Sequence, residues 1–236
     1  MINSQRKFLV IGAGLSGVCV SLQLISRGEQ VTLIDNGVNV SSVVAAGMIN
    51  PLVFRRMTKS WRVDEFIPYL KSFYSEIQEQ TNIPFFHELP VRRLFSSEQE
   101  KGFWLERQLT EEFNLYMHPV TPEDDNYKGA KNEFGSARLK ETFYVDVIPF
   151  FNAVRNQIKL NGSILNEEFD VNRLNDTTYK GEAYDDIIFC QGYLNDKNPW
   201  FNFIPIDQTK GQTLTIKSTQ LPEDVSLNRK CFVFPK

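Results

Sequence analysis

The chain has 236 residues, enough for one large domain or two small ones. Hydrophobic residues make up 42% and charged residues 23%, with 19 Phe to fill an interior, which excludes a disordered chain. A formal net charge of −3 leaves no basic excess for a phosphate backbone or an anionic bilayer, so small molecules are the expected partners, and nucleic acid and membrane are not.

Met1 to Phe8 lacks the basic, apolar, small-residue order of a signal peptide. Residues 8–25 are uncharged over a span that resembles a membrane helix, but three glycines in the first ten residues point to a strand, a tight turn and a helix. Phe8-Leu9-Val10-Ile11 is a short apolar run of the kind buried on both faces of a parallel sheet. Gly12-Ala13-Gly14-Leu15-Ser16-Gly17 follows, and Val18, Leu22 and Ile25 then repeat at helical spacing up to a C-capping Gly28. A second strand, Val31 to Ile34, closes on Asp35, and the unit is βαβ. Cys19, Cys190 and Cys231 are odd in number and far apart, which suggests neither disulfides nor a zinc cluster; a reduced cytoplasmic setting fits, and no metal is expected.

Each glycine of this unit has a task. Gly12 permits the sharp turn, Gly14 lets the backbone approach a pyrophosphate, and Gly17 lets the helix lie close to the sheet. The helix N-terminus offers free N–H groups and partial positive charge to phosphates. Asp35, 23 positions after Gly12, suits the two ribose hydroxyls and would repel a 2′-phosphate. G-x-G-x-x-G also occurs as a ligand-free turn. Here Leu24, Gly28, Val31 and Asp35 extend the pattern at the expected spacings, with only Ser21 departing from the usual Ala, and an ADP-containing dinucleotide is expected. NAD and FAD share the half that this fingerprint reads.

Downstream, Ser41-Ser42-Val43-Val44-Ala45-Ala46-Gly47-Met48-Ile49-Asn50-Pro51 is a Ser-rich stretch followed by small residues and a proline. Together with the βαβ unit it resembles FAD-dependent oxidoreductases of the D-amino-acid oxidase, glycine oxidase and sarcosine oxidase type. Small residues suit backbone that must approach a flat flavin ring, and they equally suit a tightly packed crossover. Fingerprint and resemblance together give FAD as cofactor. The residues expected to hold it are Gly12, Gly14, Leu15, Ser16, Gly17, Asp35, Asn36, Ser41, Ser42, Ala45, Ala46, Gly47 and Met48.

A helix-spaced set follows, Phe66, Ile67, Leu70, Phe73, Tyr74 and Ile77, with Pro68 expected near its first turn or at a kink. Residues 83–136 alternate strand-like pieces (Val91 to Phe95) with a charged helical piece around Phe103 to Phe113, and read as an inserted smaller domain. The loop from Thr121 to Asn126 reads as a solvated turn. His87 and His118 lie in this region without metal spacing and read as surface or packing residues. Asp146 is placed to cap a helix with Val147, Ile148, Phe151, Val154 and Ile158 on one face, and Ile164 to Val171 is strand-like. The resemblance implies a return to the FAD domain here, with Val171 contacting adenine through its backbone and Cys190-Gln191-Gly192 turning beside the cofactor. Cys190 reads as a packed small residue, not a nucleophile. Pro205 to Leu214 resembles the family's basic-Gly-Gln strand, in which Lys210 is open to two readings, a solvated edge charge or a role near the site.

The expected architecture is α/β, α+β overall, with a Rossmann-like FAD-binding domain (1–82 and 138–200). A smaller substrate domain (83–137 and 201–236) on an antiparallel or mixed sheet is inserted into it. Family members are longer, so the resemblance implies truncation at the C-terminus, after the strand-like Cys231 to Lys236. It further implies oxidation of the C–N bond of an amino acid or related amine by hydride transfer to flavin N5, with oxygen or another acceptor reoxidising the flavin. No catalytic acid or base is assigned; Arg55, Arg56, Lys59 and Trp61 are candidates for lining the substrate site. Alternatives are an NAD-dependent dehydrogenase, an FAD domain related to a tRNA-modifying enzyme, and a non-catalytic FAD-binding protein.

Overall fold

The computed structural model describes residues 5–38, 40–54, 56–121 and 129–235. They fall into two compact units, Met1–Ala45 with Val147–Thr213 and Ala46–Asp146 with Leu214–Lys236. The chain begins with β1 (Lys7–Ile11), α1 (Leu15–Ser26) and β2 (Gln30–Ile34) in the first unit. It continues in the second with β3 (Met48–Ile49), β4 (Leu52–Val53), β5 (Thr58–Lys59), α2 (Val63–Thr81), β6 (Phe86–Glu88) and β7 (Val91–Leu94). The same unit holds α3 (Glu98–Arg107), α4 (Glu111–Asn114), β8 (Ser136–Arg138) and β9 (Phe143–Val145). The first unit resumes with α5 (Val147–Asn161), β10 (Ser163–Leu165), β11 (Leu174–Asn175), β12 (Thr178–Tyr179), β13 (Glu182–Ala183) and β14 (Asp186–Phe189). β15 (Ser226–Asn228) and β16 (Phe232–Val233) finish the second.

The first unit is built on a parallel sheet in the order β10-β2-β1-β14. Its central strand is the uncharged run Phe8–Ile11, which is buried throughout, as a strand covered on both faces must be. The span that resembles a membrane helix is divided between β1, a turn and α1, and no helix among the described residues is long and apolar enough to cross a membrane. Gly28, at φ +82°, donates its N–H to the Ile25 carbonyl and stops α1 as expected. The antiparallel meander β11-β12-β13 contributes Tyr179 and Tyr184 to a core with Leu9, Ile11 and Ile34.

The second unit carries a mixed sheet, β16-β15-β7-β8, in which only the β15–β7 pair is parallel. An antiparallel sheet, β3-β9-β6, and the hairpin β4-β5 accompany it. Trp104 and Phe95 are fully buried in its core, and the Trp104 indole donates to the His118 carbonyl at 3.0 Å.

The divisions fall at 45/46, 146/147 and 213/214, where the sequence suggested 82, 137 and 200. Packing explains each shift. Leu52, Met57, Val63 and Ile67 share a core with Val91, Phe95 and Trp104, so α2 belongs with the second unit. β9 pairs with β3 and β6, and residues 207–211 line a cavity of the first unit. Local expectations shift as well. The charged helical piece is two helices, α3 and α4. α5 buries Phe150, Phe151, Ala153, Val154 and Ile158, leaving Ile148 exposed. The strand expected over 164–171 ends at Leu165, and 205–214 forms no strand, being exposed and irregular. Of the loop 121–126, only Thr121 is among the described residues.

Candidate cofactor cavity

A cavity of about 750 Å³ opens at the carboxyl ends of the parallel strands in the first unit. Its floor is the turn after β1 and the start of α1: Ile11, Gly12, Gly14, Leu15 and Ser16. Ile34, Asp35 and Asn36 line it at the end of β2, Ser41 and Ser42 from the following loop, and Glu167, Glu168 and Phe169 after β10. Cys190 to Leu194 and Asp207 to Gly211 complete the wall. The strand ends gather here because every strand of the sheet runs the same way, which puts all the carboxyl ends on one edge.

The three glycines differ in what would happen to an added Cβ. At Gly17 it would meet the Gly12 carbonyl oxygen at 1.8 Å, so this glycine is required by the packing of α1 on the β1 turn. At Gly12, with φ +99°, it would meet the Cys190 carbonyl oxygen at 2.4 Å. At Gly14 the backbone is ordinary (φ −71°) and the single neighbour is the Ser42 hydroxyl at 3.3 Å. Among the described residues, only the Ser42 hydroxyl stands near a side chain at position 14, and it is the end of a side chain that can turn. The space its missing side chain leaves belongs to the cavity, as backbone that must meet a pyrophosphate requires. Gly14 is the N-cap of α1 and supplies no side-chain cap; Ser42 Oγ accepts from the Leu15 N–H at 3.1 Å. The positive end of α1 thus faces the cavity.

Asp35 is held from two sides. Its Oδ2 accepts from the Ala13 N–H and its Oδ1 from the Gly37 N–H, each at 2.6 Å, while the Arg155 guanidinium lies 3.9 Å from Oδ1. A carboxylate oxygen accepts more than one hydrogen bond, so this scaffold fixes the group without exhausting it. Cys190 lines the wall, and burial raises its thiol above the ordinary value; burial and the neighbouring Cys190 push Cys19 up to about 12. Both shifts favour the protonated thiol over the thiolate.

Of the residues expected at the cofactor, Gly12, Gly14, Leu15, Ser16, Asp35, Asn36, Ser41, Ser42 and Gly192 line this cavity. Gly17 lies beneath it. Ala45 is outside the lining, and Ala46, Gly47 and Met48 belong to the second unit. There Gly47 has a local reason for being glycine: its φ is +71°, and its carbonyl accepts from the Val145 N–H at 2.9 Å as β3 begins. Val171 is likewise outside the lining, in a 3-10 turn beyond the short β10, and Glu167 to Phe169 take the wall instead. Those three residues carry no motif, and only the length of β10 puts them there. Lys210 lines the cavity.

The substrate-site candidates all belong to the second unit, and three of the four are among the described residues. Arg55 is outside the described residues. Lys59 pairs with Asp64 and, at 3.2 Å, with Glu112, so its charge is already matched. Tyr116 donates to the other Asp64 oxygen at 2.6 Å. The Lys59 and Tyr116 bonds hold the Asp64 carboxyl below the usual carboxylate range, while burial first and then Asp64 raise the Tyr116 hydroxyl. Arg56 has an exposed side chain, and its carbonyl accepts from Arg107 at 2.6 Å. Trp61 is 77% exposed, with its ring against Phe66 and Arg62. No group of three or more His, Cys, Asp or Glu among the described residues could hold a metal ion.

Comparison with known proteins bears on this cavity. Residues 7–236 match the family described as FAD dependent oxidoreductase. Glycine oxidase from Geobacillus kaustophilus superimposes with a TM-score of 0.70 over 98% of this chain and 69% of its own, at 16% identity. Iminodiacetate oxidase from Chelativorans sp. BNC1 gives 0.65 over 80% and 56%, at 17% identity. At these identities the likeness is one of fold. A tRNA 5-methylaminomethyl-2-thiouridine biosynthesis bifunctional protein from Hydrogenovibrio crunogenus is 41% identical over 73 residues, 30% of this chain; the chain spans 10% of that relative.

Proposed function

Because the chain belongs to the family of FAD dependent oxidoreductases, we propose that it holds FAD in the cavity of its first unit and oxidises the C–N bond of an amino acid or related amine. The observation that carries the assignment of the cavity is Gly14, which has no steric reason of its own to lack a side chain and stands at the N-terminus of a helix facing that space. Gly14 and Ser16 would meet the pyrophosphate through backbone N–H groups, with Ser41 and the Ser42 hydroxyl, which accepts from the Leu15 N–H, beside them. Asp35, its orientation fixed by Ala13 and Gly37, would accept from the adenosine ribose hydroxyls. Bound FAD supplies the hydride acceptor, which no side chain can.

The names of the two oxidases above support a substrate class. Glycine and iminodiacetate share an N–CH2–carboxylate unit, so N-carboxymethyl amines are the first compounds to try. Oxidation of this kind depends on holding the C–H bond in line with the acceptor, a matter of positioning more than of a dedicated base. The test is an absorption spectrum of the full-length protein followed by anaerobic addition of glycine, iminodiacetate, sarcosine, D-proline and D-alanine. A flavin spectrum that bleaches with one or more amines is expected. Failure to take up FAD would sink the whole reading, and bound FAD that no amine bleaches would sink the amine oxidation alone. Hydrogen peroxide formation in air would identify oxygen as the acceptor.

A second reading has its own observation, the 41% identity to the tRNA-modifying relative. On it, the amine is an aminomethyl group on a tRNA uridine. Bleaching by such a tRNA and by none of the free amines would favour it.

A further inference from the structure

One stretch of the cavity wall is built unlike the rest. Asp207 to Gly211 line the space, yet residues 205–211 are exposed throughout and belong to no helix or strand. Among the described residues they make no backbone–backbone hydrogen bond. Gln208 supplies the only hydrogen bonds they form there: its Nε2 donates to the Tyr193 carbonyl at 3.0 Å and to Asp196 Oδ2 at 3.1 Å. A segment without backbone bonds of its own opens at little cost, so one side chain decides whether this wall stands.

The ground to which Gln208 is tied is firm by comparison. Tyr193 and Asp196 belong to the 3-10 turn Gly192–Lys197, which also lines the cavity at its first residues. Asn198, only 3% exposed, fastens the far end of that turn: its Nδ2 donates to Gln191 Oε1 at 2.8 Å, and its Oδ1 accepts from the Trp200 and Phe201 N–H groups at 2.9 and 3.1 Å. Asn195 Nδ2 adds a bond to the Phe201 carbonyl at 2.8 Å. The loose stretch, in contrast, ends at a residue suited to turning. An added Cβ at Gly211 would meet nothing within 4 Å, so packing does not call for a glycine there, and the freedom of its backbone is what remains.

Resting on the FAD reading, we propose that residues 205–211 are a strap across the cofactor's way in and out, hinged at Gly211 and latched by Gln208 to the Gly192–Lys197 turn. The latch joins protein to protein, so it is made in the empty and in the loaded cavity alike. Breaking it speeds entry and exit together and leaves the affinity nearly as it was. A side chain that held the cofactor itself would act chiefly on exit.

The experiment uses the full-length apoprotein. Flavin fluorescence in stopped flow gives the rate of FAD association, and transfer of bound FAD to an excess of a second apoflavoprotein gives the rate of release. Gln208→Glu sets a carboxylate against Asp196 and the Tyr193 carbonyl, and both rates should rise about 5-fold, the worth of a typical net hydrogen bond, with the dissociation constant within about 2-fold of wild type. Gln208→Lys turns an ammonium toward Asp196, and both rates should fall about 2-fold, as an exposed ion pair allows. Gln208 is exposed, so neither change disturbs a core. Faster release without faster association in Gln208→Glu, or rates equal to wild type in both variants, overturns the strap while leaving FAD binding intact. Wild type that takes up no FAD defeats the FAD reading, and the strap with it.

Discussion

The two units use charged and small residues in opposite ways. In the first, a cavity is shaped by backbone: Gly17 lets α1 touch the β1 turn, Gly12 admits the Cys190 carbonyl, Gly14 leaves space, and Asp35 is oriented by one N–H of the β1 turn and one of its own loop. In the second, the conspicuous polar residues neutralise one another, Lys59 against Asp64 and Glu112, and Arg93 against Glu100. The lesson is that a charged side chain marks a site only if its charge is left over. The cavity of the first unit opens mainly where side chains are missing.

The sharpest way to break that contrast is to add a methyl group at two glycines three residues apart. Gly17→Ala puts a Cβ at 1.8 Å from the Gly12 carbonyl oxygen, backbone against backbone with little room to yield. We expect a loss of about 4 kcal/mol or more in stability, measured by denaturant unfolding. Gly14→Ala meets only the Ser42 hydroxyl at 3.3 Å, so unfolding should shift by under about 1 kcal/mol. Its FAD affinity should nonetheless fall about 10-fold or more, because the methyl occupies space assigned to the pyrophosphate. Equal effects of the two substitutions on folding, or unaltered FAD binding by Gly14→Ala, would dissolve the distinction between a packing glycine and a binding one.

Those glycines were legible in the sequence because a βαβ turn is a local object: strand, turn and helix lie within a few residues, and backbone sterics fix who must be small. Asp35 was legible by the same logic of spacing. Glu167 to Phe169 were not, since their place on the wall depends on β10 stopping at Leu165 and on a meander whose Lys180 reaches back 13 residues. The reading of Ala45 to Met48 as a cofactor element missed another reason for a small residue, the left-handed backbone at Gly47 where β3 starts. Lys59 was misleading for a related cause. Glu112 lies 53 positions away in the sequence, and no pattern announces such a partner. The division at 45/46, where the sequence suggested 82, was hidden for the same reason, because α2 finds its core with Phe95 and Trp104 downstream.

A milder test addresses the neutralised network of the second unit. Tyr116→Phe removes the donor to Asp64 Oδ1 while keeping the buried ring. The cost should be about 1 kcal/mol, a typical net hydrogen bond, and FAD affinity should not change. The Asp64 carboxyl should also titrate closer to the ordinary carboxylate range in the variant, though still below it because Lys59 remains. Its pKa can be followed by NMR. A drop in cofactor affinity without loss of stability would show that this network serves the ligand after all.

The smallest effect expected is a slope with pH. His118 is held below its ordinary value of 6.5, first by burial and then by the positive charges of Lys140 and Arg138. The folded protein therefore takes up a proton at lower pH than the unfolded chain does. Above 6.5 neither state is protonated at this residue and the full contribution is present; as pH falls from 6.5 toward the lower folded value, the unfolded chain gains a proton first and stability is lost. His118→Gln has no such proton to gain. Unfolding free energies of the two proteins should run parallel above about pH 7 and converge or cross below 6.5, with wild type falling faster. Because the imidazole is largely exposed, the difference should be a fraction of what a buried group gives. Parallel curves down to pH 5 would mean that His118 takes up its proton alike in the folded and unfolded states, which would overturn the lowered folded value.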